Sequence, residues 1–431
     1  MPAGAKLPTT RDLAGRFGLS RSAAIAAFEM LLSDGFAEAR IGAGTFVAAL
    51  VPRLPQDRAS PRPPDPLPAP ALPLTVGVTA SDPRTARVFR RLMSRHMARP
   101  GLEHFRYGDP RGGIGLREAI AAYLRSARGV RCDAQQIIVT SGAQQGLDLL
   151  IRAIIRPGDA VWIEDPCYPM ALTAFKGAGA RVIAVPVDDE GLDPVRGEKL
   201  FAPARAVYVT PSHQFPLGVT MTMARRLALI DWARRHDAWI IEDDYDSEFR
   251  YAGPPLTALQ GMDGANRVAY AGTFSKVLFP GLRVGYLVVP EPLLEAVMAV
   301  RARSDRYPPT LAEAPLAELL AQGHFAAHLR RVRRRVKAAR DTLVETLRAH
   351  GGGRLEIAIP QQGLHLVAKL LGGRLDTEIA RAAQMAGAGA RALSPMFIAA
   401  PPTQGLVLGF SGFTSDAVRD TAIRLCTVLA P

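Results

Sequence analysis

Residues 273–286 read TFSKVLFPGLRVGY, and they decide the fold of this 431-residue chain. Lys276 comes soon after the apolar run RVAYAG (267–272), and Arg283 follows seven residues later, beyond a Pro-Gly break. A single lysine in such a place is most often a solvated surface charge. This lysine needs another explanation, because similar polar motifs follow several other apolar runs of the chain.

Short apolar runs alternate with helical patterns over residues 74–431. This alternation predicts βα units and therefore an α/β fold with a mostly parallel sheet and helices on both faces. The runs are QQIIVT (135–140), AVWIE (160–164), RVIAVPV (181–187), AVYVT (206–210), WIIED (239–243) and RVAYAG (267–272).

Polar motifs follow these runs where ligands of such sheets bind, beyond the carboxyl ends of the strands. The motifs are SGAQQG, DPCYP, PSHQFPLG, EDDYD and TFSK. A lysine, a strand-end aspartate, aromatic rings and a phosphate cradle are the groups that pyridoxal 5'-phosphate (PLP) chemistry requires. The lysine forms a Schiff base with the aldehyde, and the carboxylate keeps the pyridine nitrogen protonated. The first turn of a helix after SG offers free N–H groups to a phosphate.

These motifs resemble the fold-type I aminotransferases over nearly the whole of residues 75–431, which implies a smaller C-terminal α+β domain beside the large sheet. The resemblance implies that Lys276 is the aldimine and catalytic lysine, and that Asp243 is the partner of the pyridinium. It further implies cofactor contacts from Tyr245 at the ring oxygen, Tyr168 on the ring face, Ala143, Gln144, Thr273, Ser275 and Arg283 at the phosphate, and Tyr107 reaching the phosphate of the neighbouring subunit.

The first 50 residues predict a small winged helix-turn-helix. Two short amphipathic patterns are separated by a turn at Gly18, and short apolar runs around Gly42 and Gly44 have the size of a β-hairpin. The motifs LP, LA, SR and GAGTFV resemble the heads of GntR-type regulators. The resemblance implies that Arg11, Ser20, Arg21 and Ser22 contact DNA, and a helix N-terminus is suited to that role.

Heads of this type carry another helix before the LP motif, whereas six residues precede Leu7 here. We therefore expect a head that is truncated at its N-terminus, or a start that lies further upstream. Residues 51–74 hold eight or more prolines in a stretch that favours extended polyproline II, so we expect a semi-rigid linker. The expected domains are thus 1–50, a linker over 51–74, and 75–431.

Head and body together resemble the MocR family, in which a GntR head is fused to an aminotransferase-like body. The resemblance implies a transcriptional regulator, a homodimer arranged head to tail, and DNA operators with repeated half-sites. The alternative is an active PLP-dependent aminotransferase with a vestigial head. The two hypotheses differ in whether an amino donor is turned over at catalytic rates.

The expected effector is PLP itself or an amino compound. Aminotransferases bind a substrate carboxylate with an arginine on a C-terminal strand, and the sequence there reads TQGLVLGF, with Thr403 and Gln404 at the place where we expect that arginine. Met170 likewise offers no charge where GABA-responsive relatives have arginine. A missing bidentate clamp removes affinity and orientation for an amino acid, which makes GABA an unlikely effector.

Composition supports a globular protein with 48% hydrophobic and 22% charged residues. The chain has no long apolar run of the kind that spans a membrane. Three scattered cysteines, Cys132, Cys167 and Cys426, suggest the reducing cytoplasm and no metal site. The formal charge of +13 is concentrated in residues 84–128 and 301–340, which are either solvated helix faces or a surface that follows DNA.

Overall fold

A computed structural model describes residues 1–49, 70–98, 100–101, 106–264 and 266–430. The chain divides into two compact units, Met1–Ala69 and Pro70–Pro431. Most of the expected linker, residues 51–69, lies outside the described residues. Its last residues join the second unit, because Leu74 is fully buried there and its carbonyl accepts a hydrogen bond of 2.8 Å from the amide of Gly409.

The first unit is the expected winged helix. Helix α1 (Thr10–Phe17) begins with a capping box between Thr9 and Asp12, and it ends at Gly18 in the left-handed region with φ 62°. Helix α2 (Arg21–Ser33) begins at Ser20, whose side chain accepts a hydrogen bond from the amide of Ala23. Strands β1 (Ala37–Arg40) and β2 (Gly44–Val47) pair antiparallel as the wing.

The residues before Leu7 extend the wing. The amide of Gly4 donates to the carbonyl of Val47 at 2.9 Å, and the amide of Leu7 donates to the carbonyl of Thr45 at 2.8 Å. Lys6 forms an isolated bridge with Phe46 between these bonds. The start of the chain therefore lies beside β2 as a third extended segment of the wing.

The second unit is built on an eight-stranded sheet with the order β3-β10-β9-β8-β7-β4-β5-β6. Its five central strands run parallel, and β3, β10 and β6 are antiparallel to their neighbours. The strands are β3 (Ile137–Thr140), β4 (Ala160–Asp165), β5 (Arg181–Asp188), β6 (Gly191–Leu192), β7 (Ala206–Val209), β8 (Trp239–Asp244), β9 (Val268–Thr273) and β10 (Gly285–Val288).

Helices cover both faces of this sheet, and the central strands are buried on both faces as parallel sheets require. The helices are α3 (Pro83–Ala98), α4 (Ile114–Arg128), α5 (Ala143–Ile154), α6 (Pro169–Gly177), α7 (Pro194–Phe201), α8 (Met223–Arg235), α9 (Leu259–Met262), α10 (Glu291–Arg303), α11 (Glu313–Ala321) and α12 (His324–His350). In the described residues, no helix is long and apolar enough to cross a bilayer.

A four-stranded antiparallel sheet with the order β11-β12-β14-β13 forms the smaller C-terminal part. Its elements are β11 (Leu355–Ile357), β12 (His365–Leu370), α13 (Asp376–Met385), β13 (Arg391–Ala392), β14 (Gly405–Gly409) and α14 (Ser415–Leu429). Leu406 and Leu408 of β14 belong to the main core, whereas Val407 packs in a separate cluster with Phe215. The predicted α/β architecture with a smaller α+β domain is confirmed.

Candidate functional site

Lys276 lies in the loop after β9, and hydrogen bonds to backbone carbonyls hold both its side chain and the residue before it. Its Nζ donates a hydrogen bond of 3.1 Å to the carbonyl of Gly77, and Thr79 Oγ1 donates one of 2.7 Å to the carbonyl of Ser275. Burial lowers the pKa of the Lys276 amine, and the charges of Asp246 and Asp243 oppose that shift. A lowered pKa increases the fraction of neutral amine, which is the nucleophilic form.

Asp243 stands at the end of β8, beside Tyr208 of the parallel strand β7. The hydroxyl of Tyr208 donates a hydrogen bond of 2.6 Å to Asp243 Oδ2, while Oδ1 is buried and has no hydrogen-bond partner within the described residues. Burial raises the pKa of Asp243 to about 6, and the Tyr208 bond opposes the rise. A buried carboxylate oxygen without a partner suits a protonated ring nitrogen, so this residue fits PLP.

The predicted phosphate residues converge on the first turn of α5. A Cβ placed on Gly142, which has φ 98°, would lie 3.8 Å from Cζ of Arg283, so the guanidinium covers this turn. Gly285 of β10 approaches the same turn, since a Cβ there would lie 3.0 Å from the amide nitrogen of Ala143. The amide of Ser275 donates to Thr273 Oγ1 at 3.1 Å. An arginine over a helix N-terminus is an arrangement that binds anions.

Aromatic rings form a wall beside this site. Tyr168 meets Phe215 edge to face with the ring centroids 5.5 Å apart, and Phe215 meets Tyr245 in the same way at 6.2 Å. Burial and the charge of Asp243 raise the pKa of the Tyr168 phenol. The side chain of Gln144 lies 3.5 Å from the carbonyl of Met170 at the start of α6.

Tyr107 differs from the other predicted cofactor residues. Its side chain is 79% exposed, and its ring stacks on Tyr307 at 4.9 Å. The guanidinium of Arg306 lies within 6 Å of both ring centroids, at 5.7 and 5.9 Å. An exposed phenol beside an arginine side chain is compatible with a contact to another subunit.

Two functional residues that the sequence reasoning missed lie behind Tyr245. His213 Nδ1 is 2.9 Å from Asp246 Oδ2, and both side chains are buried. The hydroxyl of Tyr245 lies 3.0 Å from Nδ1 and from the carbonyl of His213. With His365 they form a cluster of metal-binding residue types, but direct hydrogen bonds engage them: His365 Nε2 bonds the carbonyl of Pro216 at 2.9 Å. The sequence signal that could have identified His213 was the His-Gln pair in the motif PSHQFPLG.

Strand β14 carries no arginine, and its residue that packs with Phe215 of the aromatic wall is Val407 rather than Thr403 or Gln404. Gln404 is turned away, and its Oε1 accepts a hydrogen bond of 2.9 Å from the amide of Asp376. Arg391 of β13 stands directly opposite Val407 in the register, so both side chains leave the same face of this sheet. Its charge acts on Tyr168 against the rise of that pKa.

The predicted DNA contacts in the head are all exposed. Ser20 caps α2 and its Oγ lies 3.0 Å from that of Ser22, while Arg21 opens the helix and Arg11 lies in α1. This arrangement places the charge of Arg21 and two exposed hydroxyls at one helix N-terminus, as a phosphate-contacting or base-contacting element requires.

The arginine run of α12 is in part structural. Arg331 pairs with Asp82 at 2.6 Å, and Arg333 and Arg335 donate to the carbonyls of Glu248 and Ser81 at 2.8 and 2.7 Å. These three guanidinium groups tie the long helix to other parts of the second unit. The observation favours a structural role for much of this charge over a surface that follows DNA.

Comparisons with known proteins agree with this architecture. The family model described as aminotransferase class I and II matches residues 72–386, and that of the gntR family of bacterial regulatory proteins matches residues 1–47. Among solved structures, kynurenine aminotransferase of Pyrococcus horikoshii is 27% identical with a TM-score of 0.76, covering 84% of this chain and 91% of that one. The aminoadipate aminotransferase LysN of Thermus thermophilus is 26% identical with a TM-score of 0.75, covering 83% and 92%.

The fold and the site therefore define a chain of the class I and II aminotransferase family, whose members depend on PLP. The most similar relatives are regulators. The probable rhizopine catabolism regulatory protein MocR of Rhizobium meliloti is 38% identical over 97% of this chain and 88% of the relative. The pyridoxine biosynthesis transcriptional regulator PdxR of Corynebacterium glutamicum is 31% identical over 96% and 89%. The chain belongs to the MocR family of DNA-binding transcriptional regulators.

Proposed function

We propose that this chain is a cytoplasmic regulator that holds PLP at Lys276 and responds to PLP or to an amino compound that reacts with it. Residues 1–50 act as the DNA-binding head, 51–74 as the linker and 75–431 as the sensor. One observation carries the proposal. Lys276, after β9, and Asp243, whose Oδ1 has no hydrogen-bond partner in the described residues, lie at or beyond the carboxyl ends of two neighbouring parallel strands in a chain that also has a GntR head.

Each side chain of the site has a definite part in holding the cofactor. PLP supplies an aldehyde that reacts reversibly with amines and a ring that withdraws electrons. Lys276 carries the cofactor, and Asp243 accepts the proton of the ring nitrogen. Arg283 and the first amides of α5 bind the phosphate, and the Tyr168 ring covers one face of the cofactor ring.

The decisive experiment joins cofactor binding to DNA binding in the full chain. Three proteins are compared: wild type, Lys276→Ala and Lys276→Arg. PLP is titrated into each apo-protein while the visible absorbance is recorded. The affinity of each protein for DNA from upstream of the gene is then measured by fluorescence anisotropy. Only wild type is expected to gain a visible band and a PLP-dependent change in DNA affinity. Lys369→Ala is the control, because Lys369 is exposed and pairs with Glu356. Equal PLP responses in wild type and Lys276→Ala would overturn the proposal.

The effector is PLP or an amino compound other than GABA. Val407 replaces a charge on β14, which removes the usual clamp for a short amino acid. Arg391, one strand further out, is exposed and has no ion-pair partner within the described residues, so it is free to bind an acidic group of a longer ligand. Arg391→Ala is expected to abolish the DNA response to acidic amines and to leave the response to PLP. Arg381→Ala, on α13, is the matched control.

The assembly is a head-to-tail homodimer that recognises repeated half-sites. Tyr107 supports this arrangement, since its exposed phenol is available to a second subunit. A two-fold assembly presents two heads, and half-site spacing then follows from their separation. Shortening or lengthening the spacer between half-sites by half a helical turn is expected to abolish PLP-dependent binding while single half-sites keep weak affinity.

A second candidate function is catalysis of transamination. It is favoured by the lowered pKa of Lys276 and the carboxylate of Asp243, which an enzyme of this fold also requires. Wild-type protein is mixed with a panel of amino donors and a keto acid, and product is followed by chromatography. Turnover at more than about one per second would favour an enzyme, because typical kcat values lie at or above this range.

A further inference from the structure

A buried acid–histidine pair lies directly behind Tyr245. Asp246, two residues after β8 ends, and His213, in the loop after β7, are each 1% exposed, and their Oδ2 and Nδ1 atoms are 2.9 Å apart. Neither side chain belongs to the predicted cofactor contacts. Burial raises the pKa of Asp246, and the bonds from His213 and the amide of Leu364 oppose the rise by favouring the carboxylate.

The hydrogen bond to Asp246 fixes which nitrogen of His213 carries a proton. An ionised carboxylate can only accept, so Nδ1 must donate. Nε2 is buried without a hydrogen-bond partner in the described residues. The backbone comes close to this ring, because a Cβ on Gly363 would overlap it and one on Gly218 would lie 3.2 Å from Nε2. The imidazole is therefore held in one orientation and one tautomer.

This tautomer decides where the proton of the Tyr245 phenol can go. The phenol oxygen is 3.0 Å from Nδ1 of His213, and the phenol donates at 3.0 Å to the backbone carbonyl of His213. A protonated Nδ1 has no lone pair to offer, so the imidazole does not compete for the phenol proton, and a cofactor oxygen has to displace a neutral carbonyl acceptor. In the other tautomer Nδ1 would be an acceptor at hydrogen-bond distance and would capture it.

We propose that Asp246 and His213 form a tautomer lock that keeps the Tyr245 hydroxyl available as a donor to the oxygen of the cofactor ring. Both are positioning residues that act through Tyr245. The inference rests on the proposed function, in which PLP is held at Lys276 with Tyr245 beside its ring oxygen.

Other titratable groups surround the phenol and act on it differently. Burial raises the pKa of Tyr245 well above its usual value, and the negative charges of Asp243, Asp244 and Glu164 act in the same direction. On the far side of His213, His365 has its ring centroid at 4.9 Å, and burial lowers the pKa of His365 to about 3, so that ring is neutral. Among the residues that the structure describes, only His213 offers a nitrogen to the phenol at 3.0 Å.

The sign of the effect of Asp246→Leu separates the lock from simple electrostatics. Leucine removes the acceptor of the Nδ1 proton, so His213 is free to carry its proton on Nε2 and to accept the phenol proton at Nδ1. The deprotonated ring form of the cofactor then loses a donor, so the pH midpoint of its visible band rises, by about half to one unit. Loss of one negative charge alone would favour the deprotonated form and lower the midpoint.

The test is a spectrophotometric pH titration of PLP-loaded full-length protein in a double-mutant cycle. Tyr245→Phe and Asp246→Leu are each expected to raise the midpoint, and Asp246→Leu is expected to add nothing in the Tyr245→Phe background. His213→Asn keeps a donor to Asp246 and is expected to stay near wild type. Glu164→Gln, the control, removes a nearby carboxylate that does not touch His213 and is expected to cause no rise.

A measurement on the unsubstituted protein keeps the inference testable if a variant does not fold. Nitrogen-15 NMR of histidine-labelled wild type, with the His213 signals assigned by their loss in His213→Asn, is expected to show a protonated Nδ1. A protonated Nε2 with a bare Nδ1 would overturn the lock, and so would a midpoint that falls in Asp246→Leu in both backgrounds. Absence of any visible band in wild type would instead refute the proposed function.

Discussion

Tyr208 and Asp243 share a hydrogen bond of 2.6 Å between neighbouring parallel strands, and this bond uses one carboxylate oxygen while the other stays unpaired in the described part of the chain. Burial raises the pKa of Asp243 to about 6, and the Tyr208 bond opposes the rise. The protein thus holds a carboxyl that is poorly stabilised as an anion until a positive partner arrives. A protonated ring nitrogen is such a partner, and binding it is expected to return the pKa toward lower values.

The affinity for PLP is expected to depend on pH through Asp243. The carboxyl is neutral below about pH 6 and charged above it, so the attraction for the ring nitrogen strengthens as pH rises. We expect wild-type affinity to increase about tenfold between pH 5 and 7, and Asp243→Asn to lack that part of the increase, since a tenfold change is about 1.4 kcal/mol. Because Lys276 titrates in both proteins, the difference between their two pH profiles reports on Asp243 alone. Equilibrium titrations with superimposable pH profiles would contradict this assignment.

Close approach of β10 to the start of α5 makes Gly285 sensitive to a side chain. A Cβ there would lie 2.8 Å from the carbonyl carbon of Gly142 and 2.9 Å from Thr140 Oγ1. Gly285→Ala is expected to lower the free energy of unfolding by about 1–3 kcal/mol and to weaken PLP binding, because the anion-binding turn must shift. Gly281→Ala, with no atom within 4 Å of its Cβ, is the matched control. Denaturant unfolding with equal midpoints for the two variants would refute the close contact.

Much of the site was predictable because the geometry of parallel sheets gathers strand ends at one edge. The motifs after the apolar runs identify Lys276, Asp243 and Arg283, and the structure brings Arg283 to the first turn of α5. The winged helix was predictable for a local reason: Thr9 and Ser20 are side-chain caps that the sequence displays directly.

The remaining features depend on contacts between distant parts of the chain. Tyr208 meets Asp243 because β7 and β8 are neighbours, and His213 meets Asp246 for the same reason. The sequence of a single strand does not reveal which strands are its neighbours in the sheet. Neither pair could therefore be inferred from the spacing of residues along the chain. The role of Arg331 was hidden in the same way, because its partner Asp82 is 249 positions away.

Two roles of Ser20 can be separated by substitution. Ser20→Ala loses the cap on α2, which accepts from the amide of Ala23 at 3.2 Å, and is expected to destabilise the head by about 1 kcal/mol. Ser20→Asp keeps a capping oxygen but places a negative charge where we predict a phosphate, so it is expected to leave stability intact and to weaken DNA binding more than tenfold. Thr222→Asp, at the cap of α8, controls for added charge. Anisotropy that ranks Ser20→Asp with wild type would exclude DNA contact at this position.

The exposed phenol of Tyr107 leads to a prediction about the dimer. If it donates to the phosphate of the neighbouring subunit, Tyr107→Phe loses a hydrogen bond to a charged group, worth about 1.5–3 kcal/mol, and PLP affinity falls about tenfold to a hundredfold. Tyr307→Phe, in the ring stacked on Tyr107, is expected to bind PLP as wild type does.

The decisive measurement mixes Lys276→Ala subunits with Tyr107→Phe subunits. In the mixed dimer one site has an intact Lys276 and receives an intact Tyr107 from its neighbour, so half of the high-affinity visible band is expected to return. No recovery in the mixed dimer would mean that Tyr107 serves its own subunit.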